Sequence, residues 1–382
     1  VTAVIEGGVY RLANPVINNS QPVAFGNVRQ GDVVAEQAVS ITNDVPDDGF
    51  SEALNAQAAG TTGGVLNNGG SFALLGPGAT NDSAIAVSID TSTAGDKSGN
   101  ATIDFESDGT GSSDLGTTAL PSQNVAVTGA VFRLAEAGAH TPEPVVLADS
   151  HVGDVAQQAL SMTNTAAADG YSESLNATIG GDTGDVSSSG SFNLLAAQAT
   201  DNSSLVVGID TSTAGAKSGT AIISSESDGT GTSGIVPNVA LADQTVNVSG
   251  NVYRLAEASA HAPAPVVLGN VHVGDVAQQA LTIGNTAVAD GFSEALNAVL
   301  GATTGDATGS GSIVQLAAGG SDNSSLVVGI NTATAGAKSG TVALGLESDG
   351  DGINTLGQTA LAGQTVNVSG AVYSLAEATI NN

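Results

Sequence analysis

The chain has 382 residues with 37 Asp and Glu against 7 Lys and Arg, a formal net charge of −30, and it has neither cysteine nor tryptophan. That balance excludes nucleic acid as a partner, because phosphate contacts need Lys and Arg. The missing cysteines exclude a disulfide framework, a thiolate metal site and a cysteine nucleophile. Apolar content is 41% and aromatic content 3%, with 51 glycines; Ala, Val, Leu and Ile divided by glycine-rich turns exclude simple disorder and favour many short strands. No run approaches the roughly 18 apolar residues of a membrane span, so direct membrane insertion by this segment is not expected. Cations, above all Ca²⁺, are the natural counter-partners of such an acidic surface. A cysteine-free chain with this low-charge, Gly- and Ala-rich composition is expected in the extracellular space or on a bacterial cell surface, its export directed by a segment outside these residues.

Taken in chain order, the elements repeat. Residues 2–5 read as the last strand of a repeat, matching residues 245–248. Val9-Tyr10-Arg11-Leu12-Ala13 then returns as Val131-Phe132-Arg133-Leu134-Ala135, as Val252-Tyr253-Arg254-Leu255-Ala256 and as Val372-Tyr373-Ser374-Leu375-Ala376. Gly49-Phe50-Ser51-Glu52 keeps the same phase as Gly170-Tyr171-Ser172-Glu173 and Gly291-Phe292-Ser293-Glu294. So does Glu106-Ser107-Asp108-Gly109 with residues 226–229 and 347–350. A period of about 120 residues is too long for a solenoid unit and right for an autonomous domain. The phase divides the chain into 1–8, 9–130, 131–251, 252–371 and 372–382: three whole repeats between a preceding last strand and a following first strand. Inside each repeat, runs such as Val39 and Ile41, Ile85, Val87 and Ile89, and Val125 and Val127 alternate with polar residues, the period of a half-buried strand. About seven such runs per repeat predict three tandem immunoglobulin-like β-sandwiches, all-β, with no helix. Residues 245–248 run through Gly250 straight into the next motif, so the domains are expected to couple closely into a semi-rigid rod.

Val23-Ala24-Phe25-Gly26-Asn27-Val28-Arg29-Gln30-Gly31-Asp32, then residues 38–43, then 84–90 with Ala94-Gly95, and the closing Val125-Ala126-Val127-Thr128-Gly129 together resemble the bacterial choice-of-anchor D repeat, related to the ASH-type immunoglobulin-like domains. The resemblance covers nearly the whole chain three times. It implies a surface-exposed multi-repeat protein and a fold rather than a chemistry. Departures are the residues near Asp90, Asp210 and Asn331, where the family often has proline, and the long loops; no anchor signal is legible at Asn382.

Chemistry-bearing residues are few. Glu106 and Asp108, Glu226 and Asp228, and Glu347, Asp349 and Asp351 place carboxylates beside flexible glycines, as a Ca²⁺ site needs, although they lack an EF-hand pattern and also read as solvated acidic turns. Arg11, Arg133 and Arg254 stand beside the repeat boundary and are expected to make interdomain ion pairs. Lys97, Lys217 and Lys338 recur in a turn and are expected to have carboxylate partners. His140, His151, His261 and His272 read as surface positions without metal, since the first repeat has Asn18 and Arg29 at the matching places. Phe50, Tyr171 and Phe292 are expected in the cores rather than on a sugar platform. No Ser-His-acid relation or phosphate loop is legible, so an enzyme is not expected. Two roles follow: a stalk or adhesin holding an unknown surface ligand away from the cell, or a self-assembling filament, sheath or surface-layer subunit whose partner is a neighbouring copy. In the second, Thr2, Val4 and Ile5, or Val372, Tyr373 and Leu375, would pair between subunits by strand complementation.

Overall fold

A computed structural model describes residues 2–379, and those residues are all-β, with no helix. The expected alternation is what builds the sheets: Val39, Ile41, Ile85, Val87, Ile89, Val125 and Val127 are all buried in one cluster, while their chain neighbours, Ala86 apart, are more exposed.

The second repeat displays the plan. Gln244–Tyr253 lies in the middle of the larger sheet, antiparallel to Gly215–Asp228, with Ala221 opposite Val246 and Gly219 opposite Val248. Ser174–Gly180 and then Ser191–Leu195 extend the sheet on one side. On the other side Val145–Val146 and Ser150–His151 run parallel to Gln244–Tyr253. The smaller sheet orders Gln157–Thr163, Thr200–Ile209 and Val186–Ser189. Leu160, Met162, Leu205 and Val207 from it meet Leu175, Ile223 and Val246 from the larger one, forming a core from both inner faces. The third repeat has the same order, with Gly336–Asp349 and Gln364–Tyr373 at the centre. In the first repeat the smaller face divides into two three-stranded pieces, one holding Ile41–Asn43 and the other Ala86–Ile89.

Three separate cores mark three sandwiches. The strand Thr117–Phe132 carries Val131 into the first core, and Ala135 lies in the second. Val252 and Val372 likewise close the second and third cores. The boundaries therefore fall two residues later than the repeat phase suggested. The first two residues of each motif finish one sandwich, and its Arg opens the next by bridging to Ser172 or Ser293. No residue is left over as a linker. The same finding corrects the reading of Val372 and Tyr373 as an orphan strand: both end Gln364–Tyr373, paired within the third sandwich. Leu375 lies beyond that strand, exposed, and Thr2, Val4 and Ile5 are exposed and outside any strand.

One core position departs from the pattern. Ser225 stands where Phe105 and Leu346 fill the sister sandwiches, and its buried hydroxyl has no partner. The adjoining groove measures about 510 Å³, against about 310 and 320 Å³ in the first and third sandwiches. Ser225→Leu is expected to raise the stability of the second sandwich by about 1–3 kcal/mol, by removing an unsatisfied hydroxyl and filling the space. Calorimetry resolving the three transitions would show one shifting upward; a fall would mean the neighbours have closed over the serine.

Candidate functional site

The residues with the least ordinary surroundings are three glutamates, Glu52, Glu173 and Glu294, all buried. A buried carboxylate needs hydrogen bonds and a counter-charge. Each sits at the start of a strand next to its domain's junction. Glu173 accepts from Ser227 Oγ at 2.7 Å and Ser233 Oγ at 2.8 Å, and Arg29 Nε of the preceding sandwich reaches it at 3.0 Å. Glu294 accepts from Ser348 Oγ at 2.6 Å and Asn354 Nδ2 at 2.8 Å, and His151 Nε2 of the preceding sandwich lies at 2.8 Å. Glu52 has Ser107 and Ser113, each at 2.6 Å.

This network explains the Glu-Ser-Asp-Gly motif without a metal. Its serine donates to the buried glutamate and accepts the backbone N–H of Ala13, Ala135 or Ala256, tying the first turn of each repeat to the carboxylate. Its aspartate closes the following turn: Asp108 accepts from Thr110 N, Thr110 Oγ1 and Asn55 Nδ2, and Asp228 from Thr230 and Asn176 in the same way. Its glycine leaves room, since a Cβ at Gly109 or Gly229 would come within 2.7 Å of the glutamate oxygen. Glu106, Glu226 and Glu347 are exposed on the same strand face as Asp108, Asp228 and Asp349, whose oxygens are engaged by asparagine side chains and the turn. Asp351 gives its backbone N–H to Asp349. Among the described residues no three His, Asp or Glu side chains gather as a metal-holding group.

Arg133 corrects a second expectation. It bonds both oxygens of Asp169, at 2.7 and 2.8 Å, inside its own repeat, and Arg11 and Arg254 each bond one oxygen of Asp48 and Asp290, also within their repeats. The side chains that cross the junctions are Arg29 and His151, of which the sequence pattern placed His151 on the surface and gave Arg29 as its counterpart in the first repeat. Arg29 also donates to the carbonyls of Ile235 and Pro237. The substitution of Arg29 by histidine at the matching place was the available signal: both side chains can place a ring or guanidinium nitrogen against a carboxylate. Of the remaining histidines, His140 bonds Gln244 and Glu143, His261 bonds Gln364, and His272 is exposed near Asp275. Lys217 and Lys338 reach Asp185 and Asp306, as expected, whereas Lys97 contacts Thr93. The aromatics are also relocated. Phe132 packs on Tyr171 and Tyr253 on Phe292, ring centroids 5.5 and 5.6 Å apart and planes tilted, so these rings meet across the junctions instead of entering the cores, and Phe50 lies half exposed against Tyr10.

One pH response follows. The Arg133 and Arg254 hydrogen bonds hold Asp169 and Asp290 below the usual carboxylate range, and the Thr110 and Thr230 hydroxyls do so for Asp108 and Asp228. Burial pushes Asp349 upward, but bonds from Asp351, Asn297 and Gln358 outweigh it. A carboxylate lowered in the folded state contributes stability above its unfolded value near 3.9, and loses it as pH falls through the lowered value. Melting temperature is therefore expected to hold down to about pH 4 and to drop below it; a melting temperature still level at pH 2 would sink this. His151 faces Glu294 and, at 3.8 Å, Asp154, with Arg254 lining the same recess.

No family model matches the chain, so the choice-of-anchor D resemblance stands on its motifs alone. No curated protein matches it. Among solved structures, mouse protocadherin-24 EC1-3 is 10% identical, with 93% of this chain and 98% of that one covered at a TM-score of 0.39. Extracellular cadherin domains 3-6 of protocadherin gamma B2 give 9% identity, 95% and 78% coverage and a TM-score of 0.36. A three-domain I-band fragment of titin gives 8%, 96% and 100%, and 0.27. Likenesses at this level do not transfer a role. No helix among the described residues is long and apolar enough to cross a membrane.

Proposed function

We propose that the chain is a non-enzymatic extracellular spacer, the stalk or adhesin region of a bacterial surface protein, in which three sandwiches carry a binding part away from the cell. The observation that carries this reading is the construction of the junctions. Each is crossed without a linker residue and fastened by a tilted aromatic pair and by Arg29 or His151 on a buried glutamate. Such joints resist bending, whereas a flexible linker of even a few residues would let neighbouring domains swing. A stiff array gives reach. The acidic, low-charge-density composition suits a crowded exterior and supports the same placement.

Negative-stain microscopy with small-angle scattering tests it. Straight particles of roughly 100 Å, three strand-length domains end to end, are expected. Arg29→Ala with His151→Ala should bend them at both joints and shorten the maximum dimension. A wild type that already hinges freely would defeat the reading.

A further inference from the structure

The outer face of each larger sheet carries the same groove, so the three sandwiches act as controls for one another. In the first, Gln57, Ala73 and Asp104 line it, and Ser122 donates to Asp104 at 2.6 Å. In the second, Thr178, Asn193, Ser224 and Asp243 stand at those four positions. In the third, Val299, Val314, Gly345 and Gly363 do. The third copy alone exchanges a largely polar lining for aliphatic side chains and bare backbone.

Scattered exposed valines are ordinary. Val299 and Val314, 52% and 74% exposed, are instead two walls of a groove of about 320 Å³, with Leu361 beside them. A Cβ at Gly345 would stand 3.4 Å from Val299 Cγ1, so the glycine leaves the floor flat and open. Neighbouring domains do not cover this face: the second sandwich, flanked on both sides, keeps its counterpart groove open too. Among the described residues lining the third groove, Glu347 alone is charged, and it is exposed. The lysines and arginines of the chain are engaged elsewhere, the arginines, Lys217 and Lys338 on other carboxylates and Lys97 on Thr93. A ligand lying over the valines takes water from Glu347, and a cation offsets that loss where a neutral or anionic group does not.

We propose that the groove of the third sandwich binds a small organic cation of the arylalkylammonium class, its flat ring over Gly345 between Val299, Val314 and Leu361 and its ammonium on Glu347. A flat apolar body matches a floor without side chains, and a single positive charge matches the single carboxylate. The net charge of −30 draws such a cation toward the surface and turns anions away. The polar counterparts Thr178, Asn193 and Ser224 make the second groove a poor host for the same body, since its ring would cover hydrogen-bonding groups without pairing them. The inference goes beyond the spacer reading by placing a binding site inside the array, and it does not depend on that reading.

Amide NMR of the full chain at neutral pH, titrated with phenethylammonium, tests this, with 2-phenylethanol and 3-phenylpropionate as the neutral and anionic matches. The cation is expected to shift Gly345 and its neighbours saturably, with a dissociation constant of about 1–10 mM for so small a ligand. The alcohol should bind about threefold more weakly and the carboxylate more weakly still. Glu347→Gln should bring the cation down to the level of the alcohol. Val299→Thr with Val314→Asn gives the third groove the side chains that the second sandwich already folds with, and should weaken the cation about tenfold. No saturable shift at Gly345, equal shifts at Ser224, the three compounds binding alike, or the double variant binding as wild type does overturns the proposal. Straight particles in scattering alongside any of those results would leave the spacer reading standing while this one falls.

Discussion

Glu173→Ala is expected to cost the second sandwich about 3–5 kcal/mol, because it strips a buried ion pair of one member. Arg29 would stay largely buried against an empty pocket, and the Ser227 and Ser233 hydroxyls would lose their acceptor. The Ala135 N–H, bonded to Ser227, would lose its anchored partner as well. Arg29→Ala is expected to cost less, since it leaves Glu173 as Glu52 already stands, on two hydroxyls. The double variant should then show a coupling of about 0.5–3 kcal/mol between residues in different sandwiches. Chemical denaturation of the four proteins measures it. Zero coupling would show that the junction contact contributes nothing to the stability of either sandwich.

The second large effect is expected at Asn164. This residue is fully buried, and its amide nitrogen donates to the carbonyls of Glu173 at 3.2 Å and Leu195 at 3.1 Å. Its amide oxygen accepts from Glu136 N at 3.1 Å and Ala166 N at 3.3 Å. Four bonds thus tie the first turn of the repeat, the glutamate strand and the far edge of the sheet together. Asn43 and Asn285 donate to the equivalent carbonyls. Asn164→Asp keeps the shape and replaces the donor with an oxygen that faces two carbonyls. A loss of at least about 3 kcal/mol is expected at pH 7, since two buried acceptors go unpaired beside a desolvated charge. Asn164→Ala should cost less at pH 7, because it leaves the same gaps without the charge. Lowering pH toward about 4 should recover part of the Asp deficit by restoring a proton donor. Equal melting temperatures for Asn and Asp at pH 7 would refute the account.

Both predictions concern residues visible in the repeat pattern whose roles were not. Ser-Glu and the asparagine of Asn43, Asn164 and Asn285 recur in phase, and recurrence shows only that a position matters to each unit. Glu173 reads as one more acidic surface residue in a chain of net charge −30. Its burial depends on Ser227 and Ser233, more than fifty residues away, and on Arg29 in another sandwich. The Glu-Ser-Asp-Gly turn looked like a place for Ca²⁺ because carboxylates beside glycine suit that ion. Its glutamate and aspartate share one strand face, but threonine and asparagine take up the aspartate oxygens while the glutamate stays exposed. Arg133 was assigned across the junction on proximity in sequence, yet its Asp169 partner lies within the same repeat.

By itself the sequence determined the period, the all-β class, the sandwich cores and the absence of linkers. Each of these rests on local alternation and on self-similarity, which act along the chain. Only the tertiary structure decided where one sandwich ends, that Phe132 and Tyr253 pack across the junctions, and which side chain meets which glutamate. Those outcomes depend on which residues come together when two complete sandwiches abut. The energy of a buried ion pair is set by the water that both partners lose, and that loss has no signature in spacing.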